Sequence, residues 1–362
     1  MGTSPHHNSL DVARFGLASA VLFSHHFGLS GFVAPVVPYV DISWGRFAVF
    51  AFFAISGFLM YNSLSRTNDF YYYFSSRLLR IVPNLIVAVV FSSLMLLIIF
   101  NNYENLSAHV YYIRKDVFSF IAEPSYWIEG IFTNRPDRGV NGSLWTLQYE
   151  FFMYIVIFVV FLLPKRVVGI SLILLVAILS LPALQSLDDT KRIATFHINV
   201  GHLWTTGFHF MTGALIAHFW RFISAKKAIS IFVTVVGIAA LVILAPTLRS
   251  LVLALFWVPF FIVCLSPFAS GFSRFGDASY GVYIYAFPIQ QVSIIMIPSF
   301  WGSMAISFLL TVAMGYACWH GFEKRCLSKR RNLSDRWRTS WQGMAARAKR
   351  RVICLIEGKT AS

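Results

Sequence analysis

Charge is scarce in this chain. Only 12% of its 362 residues are Asp, Glu, Lys or Arg, about half the usual share in a soluble domain, roughly 25%. That scarcity excludes an ordinary water-soluble enzyme and a disordered segment. Cysteine is scarce as well: Cys264 and Cys318 lie in apolar runs, and Cys326 and Cys354 in or near the basic C-terminal stretch. None shows C-x-x-C spacing, so neither a disulfide framework nor a metal site is supported, and no metal is expected. No G-x-x-x-x-G-K-[ST] loop is present, which argues against an ATP-driven pump. No repeat of about 20–50 residues is visible. No pair of Gly/Pro-broken helices suggests an inverted-repeat transporter. Met1 to Asp11 lacks a basic n-region and a small-residue cleavage site, so no cleaved signal peptide is expected.

What is present is apolar sequence, 57% of the chain, arranged in runs of about 20 residues. That is the length a helix needs to cross about 30 Å of hydrocarbon. Ten spans are expected, over 10–30, 43–63, 81–100, 144–163, 167–185, 201–220, 228–245, 248–268, 279–297 and 301–322. The fold class is therefore an all-α integral membrane protein, a bundle of about ten transmembrane helices. Residues 1–323 form the membrane domain and 324–362 a basic tail. The third, fifth and seventh spans are plain aliphatic and are expected to face lipid. The first, second, fourth, sixth and ninth carry polar residues and are expected to line an interior, because an ionisable group in lipid is costly.

Net charge is +15, and twelve of the 30 Lys/Arg fall between Lys324 and Lys359. A tail of this kind reads as a cytoplasmic topology anchor near anionic lipid rather than as a nucleic-acid site, and no nucleic-acid partner is expected. With both termini inside, the inside loops and tail hold 21 Lys/Arg and the outside loops 7. That contrast obeys the positive-inside rule. A multi-pass membrane protein with both termini on the cytoplasmic side follows. Two outside segments are long, Asn101 to Ser143 and Ser186 to Val200, and long loops in compact folds are often functional.

Chemistry concentrates first on the opening span. Arg14 and His25 are 11 positions apart, so at about 100° per residue they return to within about 20° of one helix face, ~16 Å apart along the axis. Arg14 alone reads equally well as a snorkelling helix-end residue. His25, an ionisable group within the span, reads as functional, and His26, about 100° further round, as structural. A guanidinium at one end can meet a phosphate with a planar fork of donors. Deeper along the same face an imidazole can take a proton from an attacking hydroxyl. Coenzyme A, with a charged head and an extended arm ending in a thioester, has the matching shape.

Leu10-Asp11-x-x-Arg14 with Arg14-x(10)-His25 resembles the opening of the membrane-bound acyltransferase-3 family. Four more stretches are similar to that family's motifs in the same order. They are Phe52 to Leu59, Phe74 to Pro83 (with Arg77-x-x-Arg80), Ser143 to Phe152 (with Glu150), and Ser279 to Pro288. Together they cover roughly residues 10–325. The resemblance implies an integral-membrane O-acyltransferase that moves an acyl group, most often acetyl, from cytoplasmic acyl-CoA to a carbohydrate or glycolipid hydroxyl. Arg14 and His25 match the family's essential pair. One departure stands out. The late motif usually carries a histidine where this chain has Ala286, so His25 is expected to act without it, as general base on the acceptor hydroxyl or as a transient acyl carrier.

Arg77 and Arg80, three apart on one helix face, read as donor-phosphate ligands or as topology anchors. Glu150, several residues inside a span, must be hydrogen-bonded and could orient an imidazole or Arg14. Ser143 and Tyr149 are weaker lining candidates. His202 and His209 share a helix face, with His218 opposite, which is not a metal triad. Glu323 and His320 are read as a structural pair. The site expected is therefore His25, Arg14 and Glu150 for catalysis, and Arg14, Arg77 and Arg80 for acyl-CoA, acetyl-CoA first. Two rival readings remain, a carbohydrate or lipid-precursor transporter without acyl transfer, and a lipid-surface scaffold acting through its basic tail.

Overall fold

The computed structural model describes residues 5–38, 42–67, 69–185, 192–193, 198–224, 235–236 and 276–356. Within them the chain is overwhelmingly helical. The long helices are α1 (Pro5–Leu29), α2 (Trp44–Thr67), α3 (Phe70–Ile99), α5 (Trp145–Phe161), α6 (Lys165–Gln185), α7 (Val200–Ser224), α8 (Ser279–Met296) and α9 (Phe300–Cys318). Between α3 and α5 lies a short helix α4 (Leu106–Asp116). After α9, a π turn at Trp319–Glu323 leads into α10 (Lys324–Ser328) and α11 (Arg330–Ile356). A single two-stranded ribbon pairs β1 (Arg192–Ile193) with β2 (Ile198–Asn199), Arg192 facing Asn199.

These helices lie over eight of the ten expected spans. The span 248–268 and, apart from 235–236, the span 228–245 lie outside the described residues. Four stretches are long and apolar enough to cross a membrane on length and composition: Trp44–Thr67, Phe70–Ile99, Gly142–Phe161 and Phe300–Met344. The all-α membrane class holds, while a count of ten is not reached among the described residues.

Close backbone contact fixes the centre of the bundle. α2 packs most extensively against α7. A Cβ on Gly57 would come within 1.8 Å of the Phe210 carbonyl oxygen, and one on Gly213 within 1.9 Å of the Ala54 carbonyl oxygen. Only glycine permits that approach, the small-residue packing by which membrane helices gain van der Waals contact. The motif over Phe52 to Leu59 is thus partly a packing motif.

α6 behaves as a plain span should, exposing Ile170, Ile173, Leu174, Ile178 and Leu181. α3 corrects the same expectation. It buries Asn84, Ser92 and Ser93 and packs against α4, α8 and α11, so its aliphatic sequence hides a polar inner stripe. The tail is more than a loose anchor. α11 lies along α3, where Arg338 pairs with Asp69 at the N-cap of α3. Arg330 and Arg338 also sit over the rings of Tyr72 and Tyr71.

The segment expected as a long loop, Asn101 to Ser143, is folded over one end of the bundle. Asp116 is fully buried and accepts a hydrogen bond from the Ser125 backbone N–H at 2.5 Å. Tyr126 takes a left-handed backbone (φ 67°), and its carbonyl accepts from Val140 N.

Candidate active site

α1 runs from an end of the bundle rich in arginine to an end where His25 sits, and each end holds a cavity. The arginine end is organised by carboxylates. Arg14 Nη1 and Arg80 Nη2 each lie 2.6 Å from the same oxygen of Asp277, Oδ2. Arg80 Nη1 lies 2.6 Å from Glu323 Oε1, and its guanidinium sits 5.6 Å from the centre of the Trp319 ring. Asn84 donates to Glu323 Oε2 (3.3 Å), and Tyr285 donates to Asn84 Oδ1 (3.0 Å).

The local sequence explains why Asp277 can reach so far in. Gly276 has φ +90°, and a Cβ there would fall 1.8 Å from the Trp319 indole nitrogen. The chain therefore turns tightly under Trp319 before α8 begins. Asp277 Oδ1 then accepts from the Ser279 hydroxyl (2.5 Å) and backbone N–H (3.2 Å). Burial alone would push the Asp277 carboxyl up. Arg14 and Arg80 outweigh it, and with Ser279 they hold the carboxyl well below the usual carboxylate range.

A cavity of about 800 Å³, counted to its open mouth, adjoins this cluster. Its lining includes Arg14, Ser56, Arg77, Arg80, Glu150 and Tyr154. Arg77 differs from its neighbours. Among the described residues no carboxylate lies within ion-pair distance of it, and its Nε is buried without a hydrogen-bond partner. Glu150 is hydrogen-bonded, as a buried carboxylate must be: its Oε1 accepts from Ser56 Oγ (3.2 Å) and from the Tyr154 hydroxyl. It stands with the arginines and lines a different cavity from His25.

The second cavity, about 1340 Å³ to its mouth, opens at the other end. Among its lining residues are His25, Arg46, Glu123, Trp145, Gln148 and His202. The His25 ring meets Phe287 edge-on at 5.4 Å, and its Nδ1 is buried with no hydrogen-bond partner. Nε2 is therefore the ring atom left to meet a substrate. Trp145 and His202 form an aromatic wall, ring centres 4.7 Å apart. Gln148, nearly buried, lines the same cavity, and its Oε1 has no hydrogen-bond partner. His26 turns away, as a structural histidine would. Gln290 donates to its Nδ1 (3.2 Å), so Nε2 carries the proton, 3.2 Å from the Phe300 carbonyl and 3.0 Å from Ser303 Oγ.

Of the residues singled out from sequence, the structure brings Arg14, Arg77, Arg80 and Glu150 to one cavity and sets His25 in the other. Tyr149 lines the His25 cavity, and Ser143 is buried under α5. His209 stacks on Phe50 (4.4 Å) and His218 meets Tyr61 (Nδ1 to hydroxyl 2.7 Å). Glu323 pairs with Arg80, and His320 instead stacks on Tyr316, correcting the expected Glu323–His320 pair. The π turn is the reason: it widens the helix by one residue per turn, which breaks the three-residue register. Asp277 went unnoticed in the sequence, although Gly-Asp-Ala-Ser before an apolar run is a helix-start signal.

A helical membrane protein with a cation-lined cavity at one end of a helix and a histidine-lined cavity at the other is the class these features define. The chain belongs to the acyltransferase-3 family: the family model, described as an acyltransferase domain, matches residues 7–320. It is also 32% identical over 338 residues to the O-acetyl transferase of Shigella phage Sf6, across 89% of this chain and 96% of that protein. No solved structure gives a match.

Proposed function

We propose that this membrane acyltransferase takes an acyl group, acetyl first, from acyl-CoA at the arginine end and passes it to a carbohydrate or glycolipid hydroxyl at the His25 end. The observation that carries this reading is the placing of Arg14 and His25 on one helix, each in its own cavity. The Lys/Arg excess in the tail and neighbouring loops supports a cytoplasmic arginine end, facing the compartment that supplies acyl-CoA. The name of the phage relative supports acetyl as the group moved.

The residues divide the work. Arg77, without a carboxylate partner among the described residues, is the cation with most to gain from a phosphate, and Arg14 adds a second donor. Arg80, gripped by Asp277 and Glu323, holds the cluster in shape. His25 Nε2 takes the proton from the acceptor hydroxyl as its oxygen attacks the thioester carbonyl. The C–S bond breaks, the ester C–O bond forms, and the proton passes to the leaving thiolate. Trp145 and His202 offer aromatic faces against which the apolar face of a sugar ring can lie.

The test is a membrane-vesicle assay with radiolabelled acetyl-CoA, followed by mass spectrometry of the glycans. Label in an ester on glycan supports the reading. A chain that leaves the thioester intact while glycan crosses the membrane is a transporter.

A further inference from the structure

The two cavities lie back to back, and one side chain separates them. Val49 lines the cavity of Arg14, Arg77 and Arg80, and it also lines the cavity of His25. No other described residue is common to both linings. α1, α2 and α5 each contribute to both chambers. On α2, Phe50 faces the His25 side while Phe53 and Ser56 face the arginine side. On α5, Gln148 faces His25 and Glu150 the arginines. The partition thus runs across three helices, and at Val49 it is one residue thick. Val49 is itself buried (6% exposed), and Ala48 beside it and Ala51 two residues on are both fully buried.

We infer that Val49 is the gate through which the acyl group passes from the donor cavity to His25, and that its size sets which acyl chains are accepted. This rests on the reading above, that acyl-CoA enters at the arginine end and His25 acts at the other. The physical argument is one of volume and stiffness. Valine in a helix is held in essentially one rotamer, so it does not swing aside as a longer unbranched side chain can. The opening it leaves is set by two methyl groups. An acetyl group presents one methyl beyond its carbonyl. Propionyl and butyryl present one and two more carbons, and these must displace Val49 or the Phe50 and Phe53 rings that line the two cavities beside it. No bond is made or broken at Val49. The residue acts on the carbonyl's approach to His25, after which the ester forms and the thiolate is protonated as described.

The test uses membrane vesicles from cells expressing the full chain, which carry the native glycan acceptor, supplied with labelled acetyl-, propionyl- or butyryl-CoA. One methylene in a tight apolar site changes transfer by about ten- to two-hundred-fold. Val49→Ala is therefore expected to raise the propionyl-to-acetyl transfer ratio by about tenfold or more, and Val49→Phe to stop transfer while labelled acyl-CoA still binds. A second arm keeps the gate falsifiable without turnover. In Val49→Cys, a small membrane-impermeant thiosulfonate should label the new thiol from either face, over the background of the unaltered chain. An unchanged ratio in a Val49→Ala chain that still transfers, or labelling from one face only, overturns the gate alone. If the unaltered chain transfers none of the three acyl groups, the function reading fails and the gate falls with it.

Discussion

Arg14 and Arg80, on two different helices, converge on a single oxygen of Asp277, each at 2.6 Å. Two guanidinium groups so close repel unless a carboxylate lies between them. The side chain of Asp277 is only 15% exposed, so water does little of the screening. The carboxylate is what lets α1, α3 and the start of α8 meet at the arginine end.

Asp277→Ala should therefore act on the fold before it acts on catalysis. Breaking a buried ion pair by removing one partner costs about 3–5 kcal/mol, and here one deletion strips two arginines. The expected result is a lower unfolding temperature in detergent and poor recovery of folded protein. Asp277→Glu keeps the charge and should recover part of both. A fully stable Asp277→Ala chain would show that the cluster is not what joins these helices.

The arginines should separate in a donor titration. A charge-assisted hydrogen bond contributes about 1.5–3 kcal/mol. Arg77→Ala is thus expected to raise the apparent Michaelis constant for acyl-CoA roughly ten- to hundred-fold in a chain that remains folded. Arg80→Ala should chiefly lower stability, because it leaves Asp277 and Glu323 short of their partner. Arg14→Lys keeps the charge without the bidentate fork and should retain part of the donor affinity. Equal effects of Arg77→Ala and Arg80→Ala on the donor constant, with equal stability, would contradict this division.

The folded outer segment should respond to pH through Asp116. Burial pushes this carboxyl up from 3.8 to about 7, against the opposing pull of the Ser125 N–H, Lys115 and the Tyr126 N–H. An acid raised on folding adds stability that is complete below its unfolded value and is lost as pH rises through its folded value. The segment around α4 should therefore be best protected near pH 4 and loosen as pH approaches 7 and passes it. Hydrogen exchange of peptides covering 106–128, corrected for intrinsic rate, checks this. Asp116→Asn should flatten the profile, and a persistent slope in that variant would place the titrating group elsewhere.

Much of the scaffold was legible in the sequence because the signals are local. Runs of about 20 apolar residues gave helices over 10–30, 43–63 and 144–163, and the 11-residue spacing put Arg14 and His25 on one stripe. The Arg77-x-x-Arg80 block was legible as a pair of cations. The sequence could not show that Arg80 is pinned by carboxylates while Arg77 has no ionic partner among the described residues. That difference is made by Asp277, 197 residues from Arg80, and by Glu323, brought into reach by a π turn that simple periodicity does not foresee. The polar stripe of α3 was hidden for a similar reason: Asn84 and Ser92 look like isolated polar residues until Glu323 and Tyr285 arrive to bond Asn84. The division into two chambers is a property of three helices packed together, and no one segment carries it.

The central claim is that His25 performs the proton transfer on a donor held by other residues. The direct measurement is steady-state acyl transfer by His25→Ala beside the unaltered chain, in vesicles with matched amounts of inserted protein, across a range of acetyl-CoA concentrations. Loss of a positioned general base predicts a fall in turnover of about 10²-fold or more, with the donor constant unchanged because Arg14 and Arg77 lie in the other cavity. A folded His25→Ala chain that turns over near the unaltered rate, or one whose loss lies wholly in donor affinity, would contradict the account.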